Sequence, residues 1–369
     1  MTQPEQTTIL LTAFEPSGDT LGAAVARGLA SVDPTISLAG LGGSEMAGEG
    51  VEMLAQTTHE AAMGFGAVSE IMRIKRLVDL VDQWIEENSP DVVVAVDSPA
   101  ANFHVCKVAR KHRCKVAHLA APQLWGWAPW RIRKMRRLTD HVMCLLPFEP
   151  AWFEDRGVKA TFIGHPAMES HPSVEIDLPE GSPNIVLLPG SRASEILANL
   201  PMQQEVLHRI CLEHQGTEAV IACREEDVQR VEPLAAGIQI VGGNLPSALE
   251  WADLALTVSG TVSLHVMRHA TPMIGMYRVG MVSRIGAACL LNTPHRLLPN
   301  LIAGKTIVPE FVPCGNIVPQ IAEVALNLLD DETAMEKQRD ALREAAMVYE
   351  GHNPGEEAAT IILSLASLD

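Results

Sequence analysis

The chain has 369 residues, of which 47% are hydrophobic, and its acidic side chains exceed its basic ones by enough to give a formal net charge of −17. This length is greater than the usual size of a single hydrophobic core and predicts two domains. The negative charge argues against nucleic acid as a general partner, and no apolar run reaches the ~18 residues that a membrane span requires.

Apolar strands alternate with helical stretches along the chain, a pattern typical of α/β domains with parallel sheets. The first half predicts helices at 20–31 and 67–86. It also predicts strands at 8–13, 36–41, 91–96, 115–119, 142–146 and 161–163. The second half predicts strands at 184–188, 219–222, 238–241, 254–258 and 273–275.

These series predict two Rossmann-like domains, 1–165 and 184–330. The stretch between them, 166–183, is polar and contains four prolines, which indicates an interdomain linker. The sequence pattern of the tail, 331–369, predicts helices, and we expect these helices to pack back on the first domain.

The most informative turn is Pro189-Gly190-Ser191-Arg192, which joins a strand to a helix predicted to begin near Ser194. The first amides of a helix lack intrahelical partners and carry the positive end of its dipole, so this turn is suited to a phosphate. Arg192 adds a charged fork that can hold a diphosphate. The alternative is a turn that merely requires glycine.

A similar turn, Glu15-Pro16-Ser17-Gly18-Asp19, follows the first strand. Gly18 would let another molecule approach the backbone, and Ser17 or Asp19 could cap the following helix. One such turn in each half predicts a ligand held in a cleft between two domains.

A basic cluster follows three tryptophans in the first half. Five of the seven residues at 131–137 are cationic, and Trp125, Trp127 and Trp130 come just before them. This composition is favoured at a membrane surface that carries anionic lipid, although a solvated helix face beside core tryptophans is the alternative. The amphipathic helix at 67–86 is a second candidate surface, and taken alone it is more typical of a core helix.

Several other chemistries find no support in the sequence. Walker A, H-E-x-x-H and nucleophile-elbow motifs are missing, and Gly40-x-Gly42-Gly43 lacks the third glycine of a dinucleotide fingerprint. His265 and His269 could face one metal ion, but no third ligand is evident. With no Asp-x-Asp motif, we expect Arg192 and helix N-termini to neutralise a diphosphate, and we expect neither a metal nor a cofactor.

The cysteines and the start of the chain bear on its location. The seven cysteines are scattered and form no C-x-x-C pair, which favours reduced thiols in a cytoplasmic protein. The polar residues 1–7 do not resemble a signal peptide, so we expect none.

A series of ordered motifs resembles the lipid-A-disaccharide synthase family. They are Ser17-Gly18-Asp19-x-x-Gly22, Gly40-x-Gly42-Gly43-x-x-Met46, Met63-Gly64-Phe65, Asp97-Ser98-Pro99-x-x-Asn102, Trp125-x-Trp127, Leu146-Pro147-Phe148-Glu149, Phe162-Ile163-Gly164-His165-Pro166, Leu188-Pro189-Gly190-Ser191-Arg192, Ser259-Gly260-Thr261 and Leu298-Pro299-Asn300-Leu301-Ile302-Ala303-Gly304. The match runs from about residue 8 to about residue 330. Any one motif alone is weak, but so many in order are specific.

The resemblance implies a GT-B glycosyltransferase, with two Rossmann-like domains whose parallel sheets face a central cleft and with C-terminal helices. It implies transfer of 2,3-diacylglucosamine from its UDP derivative to 2,3-diacylglucosamine 1-phosphate, which forms a β-1,6 disaccharide and releases UDP. The first domain would bind the phosphorylated glycolipid acceptor and the second the UDP-activated acylated amino sugar. The protein would be cytoplasmic and peripheral on the anionic inner face of the cell membrane, and homodimer formation stays open.

The resemblance also implies roles for particular residues. Asp97 would be the base that takes the proton from the acceptor 6-hydroxyl, Glu15 would orient the acceptor or the base, and Arg192 would stabilise the departing UDP. The alternative for Asp97 is a helix cap at a strand end. The expected substrate-binding residues are Ser17, Gly18, Asn102, His165, Gly190, Ser191, Ser259, Gly260, Thr261, His265 and Asn300.

Four positions depart from the family pattern. His265 stands where the family has a glutamate that typically holds the nucleotide ribose, Ala100 and Ala101 replace Asp and Phe, and Ala128 replaces an arginine. Two alternatives therefore stay open. One is a GT-B relative with another nucleotide sugar or lipid acceptor, and the other is a non-catalytic paralogue that binds sugar nucleotides.

Overall fold

The computed structural model describes residues 6–57, 67–120, 122–169, 172–278, 293–315 and 317–367. The chain divides into two compact units, the first made of Met1–Pro166 and Gly351–Asp369, and the second of Ala167–Glu350. The Met63-Gly64-Phe65 motif and Cys289 lie outside the described residues.

The first unit is built on a sheet whose strands all pair in parallel. The strands are β1 (Thr8–Thr12), β2 (Ser37–Gly42), β3 (Glu52–Gln56), β4 (Val92–Val96), β5 (Lys115–Leu119), β6 (His141–Cys144) and β7 (Ala160–Phe162). Their spatial order is β3-β2-β1-β4-β5-β6-β7. The central strands are buried on both faces, as expected for a sheet covered by helices.

Helices cover both faces of this sheet. They are α1 (Pro16–Val32), α2 (Ser44–Gly48), α3 (Ala67–Asn88), α4 (Pro99–Lys111), α5 (Leu124–Trp127), α6 (Ile132–Leu138), α7 (Glu149–Glu154) and, from the end of the chain, α15 (Pro354–Ala366). Buried side chains of α3, α4 and α6 share one apolar cluster, whereas those of α1 and α15 share the cluster on the opposite face.

The last helix packs tightly on the first. A Cβ atom added at Gly28 would lie 2.2 Å from the carbonyl oxygen of Gly355, so the two backbones meet with no room for a side chain. The predicted tail is thus divided, because α15 belongs to the first unit and the helix Glu332–Ala346 to the second.

The second unit repeats the plan with a smaller parallel sheet. Its strands are β8 (Asn184–Leu188), β9 (Glu218–Cys223), β10 (Gln239–Gly242), β11 (Leu254–Thr257), β12 (Met273–Arg278) and β13 (Glu310–Cys314), in the order β10-β9-β8-β11-β12-β13. Its helices are α8 (Ala193–Glu213), α9 (Val228–Val231), α10 (Leu245–Trp251), α11 (Val262–Arg268), α12 (Leu298–Ala303), α13 (Val318–Asp330) and α14 (Glu332–Ala346).

The structure confirms the α/β class and two parallel sheets, and adds two strands that the sequence did not predict. Both β3 and β13 lie at sheet edges, where a strand is less buried and its apolar pattern is weaker. Pro313 in β13 also weakens the strand signal, yet proline is tolerated at an edge.

The first helix begins at Pro16, four residues before its predicted start. Proline fits the first helical position because its missing N–H would have no intrahelical partner there. Within the described part of the chain, no helix is both long enough and apolar enough to cross a bilayer.

Candidate functional site

In the first sheet, the strand order reverses between β1 and β4. The chain runs from β1 outward to β2 and β3, then returns so that β4 pairs with the other side of β1. Ligands of open α/β sheets bind at such a switch point, outside the carboxyl ends of the strands. Ser17 lies in the segment after β1 and Asp97 directly after β4, so two predicted site residues meet there.

The two side chains are joined by a hydrogen bond. The hydroxyl of Ser17 donates to Oδ2 of Asp97 over 3.2 Å. Asp97 is half-buried, and both it and Ser98 adopt positive φ angles, +50° and +40°. Such backbone is strained for residues other than glycine and clusters at functional sites. The backbone N–H of Asp97 donates to the carbonyl of Leu119 over 2.9 Å, which fixes the turn.

Asn102 stabilises this turn through hydrogen bonds from its side chain. Its side chain is completely buried, and its Nδ2 lies 2.8 Å from the carbonyl oxygen of Asp97 and 2.9 Å from that of Val96. Its Oδ1 accepts a hydrogen bond of 2.7 Å from the hydroxyl of Thr12 at the end of β1. Asn102 therefore joins the ends of β1 and β4, and this geometry fits a positioning residue rather than direct contact with substrate.

The other residues of the first turn divide between surface and core. Glu15 and Ser17 are exposed, whereas Gly18 is buried, and a Cβ atom there would lie 3.1 Å from Cβ of Ala13. The expectation that Ser17 or Asp19 caps α1 is wrong, because both residues lie inside a helix that begins at Pro16. The carboxylate of Asp19 instead caps α2 by accepting N–H donors from Gly43, Glu45 and Met46.

His165 lies apart from this cluster. It follows β7, the edge strand, and two strands separate β7 from β4. At ~4.8 Å per strand, the ends of β4 and β7 are roughly 14 Å apart. His165 is half-buried, and the neighbouring Gly164 adopts a φ of +79° with its Cα packed on His352.

Glu149 is a buried carboxylate that the sequence analysis did not single out as a site residue. It accepts hydrogen bonds from the indole N–H of Trp125 at 2.9 Å and from the backbone N–H of Leu146 at 3.1 Å. Burial raises the pKa of Glu149 to about 7 against the lowering effect of these donors. Trp125 is thereby anchored, and its ring also meets Phe148 edge to face at 4.9 Å.

The tryptophans before the basic cluster thus differ in setting. Trp125 is anchored inside the unit, whereas Trp130 is 64% exposed beside the exposed Arg133. The side chain of Trp127 lies outside the described part of the structure. Lys134 does not point freely into solvent, because its Nζ lies 4.0 Å from the centre of the Phe103 ring.

The second sheet has its own switch point, between β8 and β11. The predicted phosphate turn follows β8, and Ser259-Gly260-Thr261 follows β11, so two predicted motifs lie on neighbouring strand ends. Gln203 is buried and holds these ends together, because its Nε2 donates to the carbonyls of Leu188 (3.1 Å) and Leu256 (3.0 Å).

The turn predicted to hold phosphate connects β8 to α8, which begins at Ala193, and its donors are engaged within the chain. Oε2 of Glu195 accepts the backbone N–H of Ser191 at 3.3 Å and that of Arg192 at 3.4 Å. Oε1 of Glu195 lies 2.9 Å from Nη1 of Arg192. The side chain of Arg192 is 71% exposed.

Tyr277 and Arg224 add polar groups around this turn. Tyr277, near the end of β12, donates its hydroxyl to Oε1 of Glu195 over 3.2 Å. Burial and the nearby Glu195 carboxylate raise the pKa of Tyr277. Arg224 follows β9, and its Nη2 donates to the carbonyl oxygen of Ser191 at 3.3 Å. No local sequence pattern indicates these contacts, because the partners lie far apart along the chain.

The second predicted motif has a simpler geometry. The hydroxyl of Ser259 donates to the carbonyl of Arg296 over 3.0 Å, and Gly260 adopts a φ of +148° before α11. Thr261 is exposed and His265 half-buried. The ring of His269 is tied to its own helix by a 2.9 Å contact between Nδ1 and the carbonyl of His265.

Asn300 is a buried structural residue in this geometry. Its Nδ2 donates to the carbonyl of Val308 and to Glu310, and its Oδ1 accepts the N–H groups of Ile307 and Val308, all within 2.8–3.0 Å. Because these bonds use its polar atoms inside the unit, Asn300 fits a positioning role better than contact with a phosphate. Among the described residues, no group of three or more His, Cys, Asp or Glu could hold a metal ion.

Comparison with known proteins identifies the family. The family model described as Lipid-A-disaccharide synthetase matches residues 9–363. The chain belongs to the lipid-A-disaccharide synthase family. Family membership makes it a glycosyltransferase, which agrees with two parallel α/β units that each carry polar residues at a switch point.

Individual relatives support the same assignment. The chain is 33% identical to the lipid-A-disaccharide synthase of Gluconobacter oxydans, over 90% of this chain and 84% of that protein. It is 32% identical to lipid-A-disaccharide synthase 2 of Legionella pneumophila, over 99% of this chain and 98% of that protein.

Solved structures at low identity show the fold. The glycotransferase of kitacinnamycin has a TM-score of 0.65 at 14% identity, covering 98% of this chain and all of that one. The S. aureus MnaA-UDP co-structure has a TM-score of 0.62 at 12% identity, covering 97% and 95%. These likenesses support the GT-B assignment.

Proposed function

We propose that this glycosyltransferase transfers 2,3-diacylglucosamine from its UDP derivative to 2,3-diacylglucosamine 1-phosphate and inverts the anomeric centre. The acceptor 6-hydroxyl oxygen forms the new bond to C1 of the donor sugar, the bond from C1 to the diphosphate breaks, and UDP leaves with the bonding electrons. The hydrogen bond between Ser17 and Asp97 at the switch point of the first sheet is the observation on which the proposal chiefly rests.

Asp97 is the proposed base that receives the proton of the 6-hydroxyl. Its position at the carboxyl end of β4, its partial exposure and its constrained backbone support this role. Ser17 orients the carboxylate, Asn102 fixes the turn, and exposed Glu15 orients the acceptor. A base held in place loses little entropy on reaction, which is how positioned groups accelerate proton transfer.

The second unit holds the nucleotide in this proposal. The backbone N–H groups of Ser191 and Arg192, with the guanidinium of Arg192, bind the diphosphate and stabilise the charge that develops as UDP departs. S. aureus MnaA, which shares the fold, has been solved as a co-structure with UDP, and this supports UDP as the nucleotide bound by the second unit. Ser259, Gly260 and Thr261 lie on the neighbouring strand end, and His265 would hydrogen-bond the ribose.

The deciding experiment is incubation of the protein with both diacylglucosamine substrates, followed by mass analysis. We expect the tetraacyl disaccharide phosphate and an equal amount of UDP. Release of UDP only from a different donor would favour a relative with altered specificity. Thermal stabilisation by UDP with no transfer to any acceptor would favour a non-catalytic paralogue, and either result would overturn the proposal.

We also propose that the first unit docks on the anionic inner face of the cell membrane. The helices α3 and α6 pack on one face of the first sheet, with Ile71 (67%) and Met72 (49%) exposed on α3 and Trp130 (64%) exposed just before α6. The exposed cationic side chains near these apolar residues are Lys75, Arg76, Arg133, Arg136 and Arg137. Exposed apolar side chains beside cations are typical of surfaces that bind anionic lipid.

Vesicle binding tests this surface. Replacing Arg133, Arg136 and Arg137 by Gln should weaken binding to anionic vesicles by about 1 kcal/mol per charge at low salt, as an upper figure, because ions screen the attraction. Lys134 is left in place because it packs on Phe103. Unchanged binding, or no binding by the parent protein, would contradict the proposal. The oligomeric state stays a prediction, and size-exclusion chromatography with light scattering measures it.

A further inference from the structure

The anion-binding turn of the second unit already contains an anion from the same chain. The carboxylate of Glu195 accepts both backbone N–H groups of the turn, from Ser191 and Arg192, and pairs with the Arg192 guanidinium at 2.9 Å. These are the same donors that the proposed function assigns to the diphosphate. Because one donor cannot bond fully to two acceptors, the carboxylate and a diphosphate compete for them.

The turn itself and strand β12 hold Glu195 in this place. A Cβ atom added at Gly190 would lie 2.7 Å from Oε2 of Glu195 and 2.9 Å from its Cβ, so glycine is required there for the carboxylate to approach. The Tyr277 hydroxyl, near the end of β12, donates to Oε1 over 3.2 Å. The Glu195 side chain is only 13% exposed. The contact is therefore formed by two separate segments of the second unit, the turn with the start of α8 and the end of β12.

We propose that Glu195 is an internal competitor of the nucleotide diphosphate and sets the affinity of the second unit for it. The inference rests on the proposed function, since it concerns the same turn. When the diphosphate binds, its oxygens replace Oε2 on the two amides and share Arg192, and the Glu195 carboxylate moves aside with its charge unneutralised. UDP is consequently bound less tightly than it would be by a turn whose donors were not bonded to Glu195.

Calorimetric titration with UDP tests this competition. Glu195→Gln preserves the size of the side chain and removes its charge, so we expect the Kd for UDP to fall about tenfold, the size of effect that follows from removing one like charge near a bound anion. Uridine, which has no phosphate, should bind the parent and the variant equally. This dependence on ligand charge is not expected of a residue that only stabilises the fold.

Two further variants make the test sharper. Glu205→Gln removes the same charge from an exposed site on α8 and should leave the Kd for UDP unchanged. Tyr277→Phe keeps the carboxylate but removes one donor that holds it, and should lower the Kd by about two- to threefold. Circular dichroism checks that each protein is folded, and if Glu195→Gln does not fold, Tyr277→Phe decides.

The outcomes separate this inference from the proposed function. If the parent binds UDP and Glu195→Gln binds it equally or more weakly, Glu195 merely positions Arg192 and the inference fails alone. If neither folded protein binds UDP, the proposed function fails with it. Tighter binding of UDP by Glu195→Gln, with uridine unaffected, supports the competition.

Discussion

The hydroxyl oxygen of Ser17 lies 3.2 Å from Oδ2 of Asp97, although 80 residues separate the two along the chain. The contact exists because β1 and β4 pair in parallel and end at the same edge of the sheet. It places a hydroxyl donor beside the carboxylate proposed as the base, where it orients that carboxylate.

Replacement of this carboxylate is the first prediction. Asp97→Asn keeps the size of the side chain and removes the proton acceptor, so turnover should fall by about 10² to 10⁴ while the affinity for UDP stays nearly unchanged. Steady-state kinetics and calorimetry measure the two effects. Asp79→Asn, an exposed change on α3, is the matched control. If Asp97→Asn retains its turnover and loses stability instead, Asp97 is a structural cap.

A second prediction concerns the support of Asp97. Asn102→Ala removes the hydrogen bonds that Asn102 makes to the buried hydroxyl of Thr12 and to the carbonyl oxygen of Val96, which should lower the free energy of unfolding by about 1 to 3 kcal/mol. Because the Asp97 turn also loses its anchor, kcat should fall at temperatures where the variant is fully folded. Normal kcat under those conditions would show that Asn102 serves stability alone. Tryptophan fluorescence monitors unfolding of the first unit, which contains all the tryptophans except Trp251.

Arg192 is the subject of a third prediction. Arg192→Ala should lower turnover by about two to three orders of magnitude, the usual effect of removing one donor that stabilises charge in the transition state. Arg209→Ala, an exposed change further along α8, should have no comparable effect. Activity of Arg192→Ala within about threefold of the parent would exclude the proposed role.

Glu149 should make the stability of the first unit depend on pH. Its pKa is about 7 in the folded state against an ordinary value of 4.5, so the folded state binds the proton more tightly and stability falls as the pH rises between these values. Glu149→Gln removes this loss. From about pH 5 to about pH 8, the variant should gain about 2 kcal/mol relative to the parent, whatever its absolute stability.

Urea denaturation followed by tryptophan fluorescence measures this difference at each pH. A constant difference between Glu149→Gln and the parent across the range would contradict the raised pKa. The transferase activity of Glu149→Gln is a second measurement, because Glu149 anchors Trp125 through its carboxylate.

His118 should make the stability of the first unit fall as the pH decreases, which is the opposite of the effect of Glu149. It is completely buried, neither ring nitrogen has a hydrogen-bond partner among the described residues, and burial lowers its pKa to about 4. The unfolded chain binds the proton near pH 6.5, so stability from this residue is present above that pH and is lost as the pH falls toward 4. From about pH 7 to about pH 5 the loss is about 2 kcal/mol.

His118→Leu removes both this loss and two buried polar atoms. The variant should be more stable than the parent by about 1 kcal/mol at neutral pH and by a larger margin at pH 5. Denaturation at the two pH values measures the margin. A variant that is less stable at both would show that the imidazole has a favourable interaction in the folded protein.

The sequence by itself determined the class of fold and the places where chemistry could occur. Apolar runs predicted the buried central strands, because a strand covered on both faces has to be apolar along its length. Glycine and proline marked the turns at Ser17 and Arg192, since glycine permits backbone conformations that other residues avoid and proline fixes φ, whatever surrounds them. The edge strands β3 and β13 escaped prediction because partial burial imposes no such pattern.

Only the tertiary structure decided which polar residues face solvent and which support them. Asn102 and Asn300 carry the same side chain that a substrate-binding residue would, yet their burial and hydrogen bonds give them supporting positions. Glu195 accepts the N–H groups of the turn after β8, and its carboxylate is also bonded to Tyr277, which is 82 residues away along the chain. Such contacts depend on strand order and on which strand ends meet, and neither can be predicted from the spacing of residues along the chain.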